Sequence, residues 1–172
     1  QDCPRLLFAA LQNLIATNQI AVDEVKVHFY TNAVGQADFA KLAKEYTLDN
    51  VVRVHNYIPR SEIVDRMHHS SIMLVLTTPI KQYGTHGMMG TKFYEILGVE
   101  KPCLCLNSDE ECLAEAIKNT HAGLAATHVE DVKAFILESQ IHQHLDHIGN
   151  SKEAFILYNR YMEALVAYHK FY

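Results

Sequence analysis

The chain has no cluster of basic residues and no long apolar run, and each absence removes a class of function. Binding to a phosphate backbone needs a clustered basic face. With a net charge of −5 and its Lys and Arg residues scattered, the chain is not expected to bind nucleic acid. The apolar runs are a handful of residues long, against about 20 for a bilayer span. No signal-peptide pattern precedes the first helical segment. A soluble domain without a transmembrane segment is therefore expected. Cysteine is also scarce: Cys3, Cys103, Cys105 and Cys112. Cys103 and Cys105 alternate with Leu104 and Leu106, the pattern of small residues in a buried strand and not of a disulfide or zinc framework. Reduced structural thiols are expected. Histidine is plentiful, at 11 residues, but His142, His144 and His147 are not spaced to share one helix face as a zinc site requires. They read as a solvated polar stretch, and no metal is expected. His68 and His69, at a helix end, suit the negative end of its dipole.

What remains is a chain of 172 residues, 49% hydrophobic and 20% charged, long enough for one well-buried domain. Helical and strand-like segments alternate along it. Helical spacing over Leu6 to Ile15, Asp38 to Tyr46, Ser61 (as N-cap) to His68, Thr91 to Leu97, Glu110 to Asn119 and Glu130 to Glu138 predicts helices. Strands are predicted at Val25 to Tyr30, Val51 to His55, Ile72 to Leu76, Cys103 to Leu106 and Gly123 to Ala126. The run Ile-Met-Leu-Val-Leu suits a central parallel strand. This rhythm predicts an α/β fold, a doubly wound parallel sheet with helices on both faces. After it, Asn150 and Glu153 form a capping pair for an amphipathic helix through Tyr172. Residues 1–149 are thus expected to form the domain. Residues 150–172 form a terminal helix, packed on that domain or bracing a second one.

Glycine is the scarcity that locates a site. Of only seven glycines, Gly84, Gly87 and Gly90 fall in one loop ahead of the helix that carries Lys92 and Glu95. Closely spaced glycines let backbone N–H groups approach a ligand, and the following helix adds its unpaired N–H groups and positive dipole end. An anion, most naturally phosphate, is stabilised there. Glu95, one turn into the helix, is placed to accept hydrogen bonds from vicinal hydroxyls of a ribose. The alternative is a glycine loop that only makes room for a tight turn. Ligands in open α/β sheets bind beyond the carboxyl ends of the strands, where this loop leaves Ile72 to Leu76.

Other chemistries of such a sheet fit poorly. A phospho-receiver needs acidic strand ends, but these strands end in Tyr30-Thr31-Asn32, His55-Asn56 and Thr77-Thr78. A dinucleotide fold needs G-x-G-x-x-G after its first strand, whereas these glycines run G-x-x-G-x-x-G after an internal one. A P-loop is absent.

The run Gly90-Thr91-Lys92-Phe93-Tyr94-Glu95-Ile96-Leu97-Gly98-Val99-Glu100-Lys101-Pro102-Cys103-Leu104 resembles the K-x-x-E-y-l-a-x-G-K-P-v-l signature of the donor-binding domain in GT-B glycosyltransferases of the large group 1 family. Asn50 to Ile63 is similar to that family's v-x-f-x-G-x-v-p-x-x-e-l, and Ser70 to Leu76 to its a-D-v-x-l-l-p strand. The likeness covers about Leu6 to Glu138, in order.

The resemblance implies the carboxyl-terminal half of a GT-B enzyme that transfers a sugar from a nucleotide-diphosphate donor. In that reading Glu95 binds the ribose, the N–H groups of Gly90, Thr91 and Lys92 hold the diphosphate, and the backbone of Ile58 and Pro59 faces the base. Gly84 to Met89, with Gly87, Met88 and Met89, approaches the sugar. No metal or cofactor is implied, since a helix N-terminus and fixed positive charge stabilise the departing diphosphate. Retention at the anomeric carbon, polysaccharide biosynthesis and a cytoplasmic location at the inner membrane face follow from the family alone. Gly87 stands where the family often has a sugar-contacting glutamate, Ser71 where it has Asp, and Asn56 where it has Gly. Such domains open with a strand and glycine loop, whereas this sequence opens on Gln1-Asp2-Cys3-Pro4 at the helix. A missing first strand and a missing amino-terminal acceptor-binding domain are therefore expected, with the fragment alone inactive. A nucleotide-sugar epimerase of the same fold and a non-catalytic nucleotide-binding or assembly module are the alternatives.

Overall fold

The computed structural model describes residues 4–77, 91–106 and 111–148. Two compact units divide the chain, Gln1–Phe135 and Ile136–Tyr172. The first holds all five described strands. Its helix α1 (Arg5–Ala16) exists because Leu7, Phe8, Leu11 and Leu14 recur at helical spacing, and all four are buried. β1 (Val27–Tyr30) follows, then α2 (Ala33–Glu45) and β2 (Val52–His55). α2 begins earlier than the predicted Asp38. Asn32 caps it, its side-chain oxygen accepting a hydrogen bond from the Gly35 N–H at 2.9 Å, and that cap outweighs the helix-weakening glycine in the first turn.

α3 (Arg60–His68) starts one residue ahead of the predicted cap Ser61, because extended Pro59 takes the N-cap position and its carbonyl accepts from the Glu62 N–H. β3 (Met73–Leu76), α4 (Thr91–Gly98), β4 (Cys103–Leu106), α5 (Glu111–Asn119), β5 (Gly123–Ala126) and α6 (Val129–Ile148) complete the order. α6 runs past the predicted end at Glu138 and takes in His142, His144 and His147 as helix. The predicted helix over 150–172 lies outside the described residues. Among those residues no helix is long and apolar enough to cross a membrane.

All strand pairing is parallel, and it falls into two sets. β1 pairs with β2, Val27 opposite Val52 and Tyr30 opposite His55. β3, β4 and β5 form a three-stranded sheet with Met73 opposite Cys103 and Cys103 opposite Gly123. Helices pack on each sheet. Phe29 of β1 stacks on Phe39 of α2 at 4.3 Å and meets Phe8 of α1 edge-on at 6.1 Å. In the larger sheet Met73, Val75, Cys103, Cys105 and Ala125 share the face that packs on Met67 of α3, Phe93 and Ile96 of α4, and Leu113 and Ile117 of α5. This is a Rossmann-like α/β architecture, parallel strands joined by helical crossovers.

β4 is the innermost strand, with all four residues buried. Cysteine serves there as a small apolar residue. Burial first, and the neighbouring Cys105 second, push the Cys103 thiol up to about 12. Native protein at pH 8 should therefore label with a thiol reagent at half-exposed Cys112, while Cys103 and Cys105 should react only as fast as the chain unfolds. Prompt native labelling of Cys103, read by peptide mass mapping, would contradict this packing.

Gly123 opens β5 with φ +151°, and a Cβ there would run into the Cys103 carbonyl. Both the backbone region and the close approach require glycine. Gly123→Ala should lower unfolding stability by about 3 kcal/mol, read as a drop in the urea midpoint.

Candidate functional site

The carboxyl ends of the strands are where an open α/β sheet presents its ligand groups. At the ends of β1 and β2 those groups are amides. Gln36 of α2 donates through Nε2 to the Asn56 side-chain oxygen at 2.6 Å and to the Thr31 carbonyl at 3.2 Å. These bonds tie the end of β1 to the residue that follows β2. At the end of β3 the Thr77 hydroxyl donates to the Leu106 carbonyl at 2.8 Å, joining β3 to β4.

From Asn56 the chain runs through exposed Tyr57, half-buried Ile58 and exposed Pro59 into α3. The first residue of that helix, Arg60, reaches toward Glu95 of α4, with Nη2 to Oε1 at 4.0 Å. Glu95 faces outward because Phe93 and Ile96, on the opposite side of α4, are buried against the Cys103 and Cys105 face. Thr91, Lys92, Tyr94 and Glu95 are all exposed. The Arg60–Glu95 pair is loose and solvated, its side chains 92% and 52% exposed. Such a pair holds the carboxylate weakly and leaves it available to a ligand.

Of the sequence-predicted site residues, Ile58, Pro59, Thr91, Lys92 and Glu95 thus lie on two neighbouring segments, the turn into α3 and the exposed side of α4. Gly87, Met88, Met89 and Gly90, with the rest of the loop from Gly84, lie outside the described residues. Sequence reasoning did not single out Arg60 as the partner of Glu95, nor Gln36 and Asn56 as a pair. The residues of each pair are far apart in sequence, and each is an ordinary surface residue by type. A separate surface cleft is lined by Ile117, Lys118, His121 and Gly123. It lies at the start of β5, away from the carboxyl ends of the strands.

One further cluster was not legible as a site. On the outer face of the β1–β2 pair, the His28 Nδ1 and His55 Nε2 lie 2.9 Å apart, and Tyr30 stacks on His55 at 4.8 Å. A hydrogen bond between two imidazoles needs one nitrogen to donate and the other to accept, so a second proton on the pair breaks it.

Comparison with family models, with curated proteins and with solved structures gave no match to this chain.

Burial lowers the His28 pKa from its ordinary 6.5, and the positive charges of His55, Arg53 and Arg66 lower it further. The unfolded chain therefore takes up a proton at His28 more readily than the folded one. Stability from this group is present above pH 6.5 and is lost as acid drives the pH below that value toward the depressed folded pKa. Urea midpoints measured between about pH 7.5 and pH 5.5 should fall with acid, and His28→Gln should flatten part of that fall. An identical acid slope in the variant would remove His28 as its source.

Proposed function

We propose that this chain is the donor-binding half of a nucleotide-sugar glycosyltransferase. The observation that carries the reading is the position of Glu95 within Gly90 to Leu104. It stands on the exposed side of α4, next to the turn Ile58-Pro59-Arg60. A carboxylate on a helix side beside a turn that has no side-chain cap suits a ribose, whose two adjacent hydroxyls can both donate to it. The N–H groups of Thr91 and Lys92 at the start of that helix suit the diphosphate, helped by the dipole, and Gly90, which precedes them in sequence, would add its own. The Ile58–Pro59 backbone would meet the base, and Gly87, Met88 and Met89 the sugar.

The chemistry asked of this half is charge stabilisation. Breaking the bond from the anomeric carbon to the diphosphate oxygen leaves the electron pair, and a growing negative charge, on the nucleoside diphosphate. Donors fixed in advance at the helix start stabilise that charge without reorganising. The reading requires no metal. As the diphosphate leaves, the anomeric carbon bonds to a hydroxyl of the acceptor, which gives up its proton; an amino-terminal domain of the same enzyme would bind that acceptor and complete the cleft, acting in the cytoplasm at the membrane face in polysaccharide synthesis.

Arg60 has a part in this scheme. With no ligand it offsets the Glu95 charge loosely, and it would yield Glu95 to the ribose at small cost because an exposed pair at this distance contributes about 0–1 kcal/mol.

A second reading, a nucleotide-binding module without transfer activity, is favoured by one feature, Gly87 in place of a sugar-contacting glutamate. The two part company on activity, not on nucleotide binding.

Calorimetric titration with UDP, GDP and ADP, each with and without magnesium, tests the site. One nucleotide should bind without metal. Glu95→Ala should weaken it by about 1.5–3 kcal/mol, roughly 10- to 150-fold. Undiminished binding by Glu95→Ala would remove the ribose assignment. Release of sugar from the matching donor by the full-length enzyme would separate transferase from silent module.

A further inference from the structure

The cleft at the start of β5 lies apart from the proposed nucleotide site, and an open strand edge forms one of its walls. Cys103 N–H donates to the Ala122 carbonyl at 2.7 Å, with Cys103 opposite Gly123 and Cys105 opposite Ala125 in a parallel ladder. Successive residues of a strand turn their backbone groups to opposite sides. Leu124 and Ala126 therefore bond toward β4, and the N–H and C=O groups of Gly123 and Ala125 point to the edge. Among the described residues no strand pairs with that edge. Its donors and acceptors are left to water or to an added strand.

The other wall is α5 and its closing turn. Ala114, Ile117, Lys118 and His121 line the cleft, and their spacing of i, i+3, i+4 and i+7 makes one stripe. About 490 Å³ lies between stripe and strand, because the residues beneath it are small. Gly123 has no side chain, and Ala125, on the sheet face that packs against Ile117, ends at a methyl. α5 returns through His121 and Ala122 straight into β5, so helix and strand run in opposite directions. Lys118 and His121 thus lie at the Gly123 end, and Ala114 is level with Ala125, since one helical turn of about 5.4 Å nearly matches two strand residues. The polar end is built on a strained helix end. His121 takes φ +52° and closes α5, its N–H donating to the Lys118 carbonyl at 3.2 Å while Ala122 N–H donates to the Ile117 carbonyl at 3.1 Å. Helices that close in this way favour glycine at that position. Histidine there costs about 1 kcal/mol and brings an exposed imidazole to the same end as the exposed Lys118 ammonium.

We propose that β5 is a docking edge for an extended acidic segment of a partner protein. The segment pairs its backbone with Gly123 and Ala125, sets an apolar side chain against Ala114 and Ile117, and sets a carboxylate against Lys118 and His121. Three features select this occupant. Free N–H and C=O groups two residues apart are matched by the backbone of another strand and not by a lipid tail or a flat ring. The ionisable residues that line the cleft, Lys118 and His121, offer a cation and N–H donors, in a chain whose net charge is −5, and a carboxylate complements both. A second copy of β5, Gly-Leu-Ala-Ala, has no carboxylate to offer them. Side chains two apart share a strand face, so the segment carries its acidic and apolar residues with one residue between. The inference is independent of the nucleotide assignment, because the cleft lies away from the carboxyl ends of the strands and its readouts involve no nucleotide.

A capped, fluorescently labelled peptide Thr-Glu-Thr-Val-Thr-Glu-Thr, which reads the same in both directions, tests it by anisotropy and by amide hydrogen exchange of the 172-residue chain. In the free chain the amides of Gly123 and Ala125 should exchange about 100-fold faster than those of Leu124 and Ala126. Peptide at millimolar concentration should slow both to the rate of their neighbours. A version with Gln for both Glu residues should bind about 10-fold more weakly. Lys118→Glu should reverse the preference, rejecting the Glu peptide and taking a version with Lys in its place, which also shows that the variant is folded. His121→Gly should raise the urea midpoint, because glycine suits the left-handed position, and yet bind the Glu peptide about 5-fold more weakly. Slow Gly123 and Ala125 amides in the free monomer would mean that the edge is already covered, which overturns the proposal. Protection that grows with protein concentration in the absence of peptide would give the edge to a second copy and overturn the proposed occupant. Equal binding of the Glu and Gln peptides, binding that leaves the two amides fast, or no binding at millimolar peptide would each overturn it too.

Discussion

Burial of β4 on both faces is the constraint from which most of the structure follows. Cys103, Leu104, Cys105 and Leu106 are each at most 1% exposed. Covering one face requires Phe93 and Ile96 of α4, with Leu113 and Ile117 of α5, to turn inward. That requirement fixes the rotation of α4 about its axis, and the same rotation carries Thr91, Lys92 and Glu95 outward. The orientation of the site helix is therefore decided in the core. Small residues are needed as well. Cys103 and Cys105 leave room for the aromatic and branched side chains above them, and Gly123 lets β5 approach the Cys103 carbonyl.

The rim above this core is held by polar contacts of modest strength. The Gln36–Asn56 amide bond and the Asn32 cap set the ends of β1 and β2 relative to α2. These are neutral hydrogen bonds, which stabilise by about 1 kcal/mol each. Arg60 and Glu95 add an ion pair too exposed to hold either residue firmly. The rim thus differs from the base: its helix positions are fixed by the core, while the Arg60 and Glu95 side chains stay exposed and loosely paired.

Strand positions were the most legible part of the sequence. Val51 to His55, Ile72 to Leu76, Cys103 to Leu106 and Gly123 to Ala126 were each visible as short apolar runs bounded by polar or turn residues, and each is a strand within a residue. Helix starts were less legible. At α2 a glycine in the first turn hid a helix whose cap, Asn32, was in plain view. At α3 a proline outcompeted the serine after it. The extension of α6 over His142 to His147 was legible in principle, since Ile141, Leu145 and Ile148 recur at helical spacing, but the polar residues between them drew the reading away from it. At the site, Glu95 and Lys92 were legible from local spacing, whereas Arg60 and the two histidines were not. Their partners are set by strand pairing and helix crossover, and no local pattern encodes those.

The site and the break in the sheet are related by topology. β2 ends one sheet's run of neighbouring strands and β3 begins the other's. The chain crosses between them through Asn56 to Arg60 and α3. Open α/β sheets present their ligand groups at the carboxyl ends of the strands, and this segment leaves β2 at such an end. The turn into α3 and the exposed side of α4 bring Arg60 and Glu95 together.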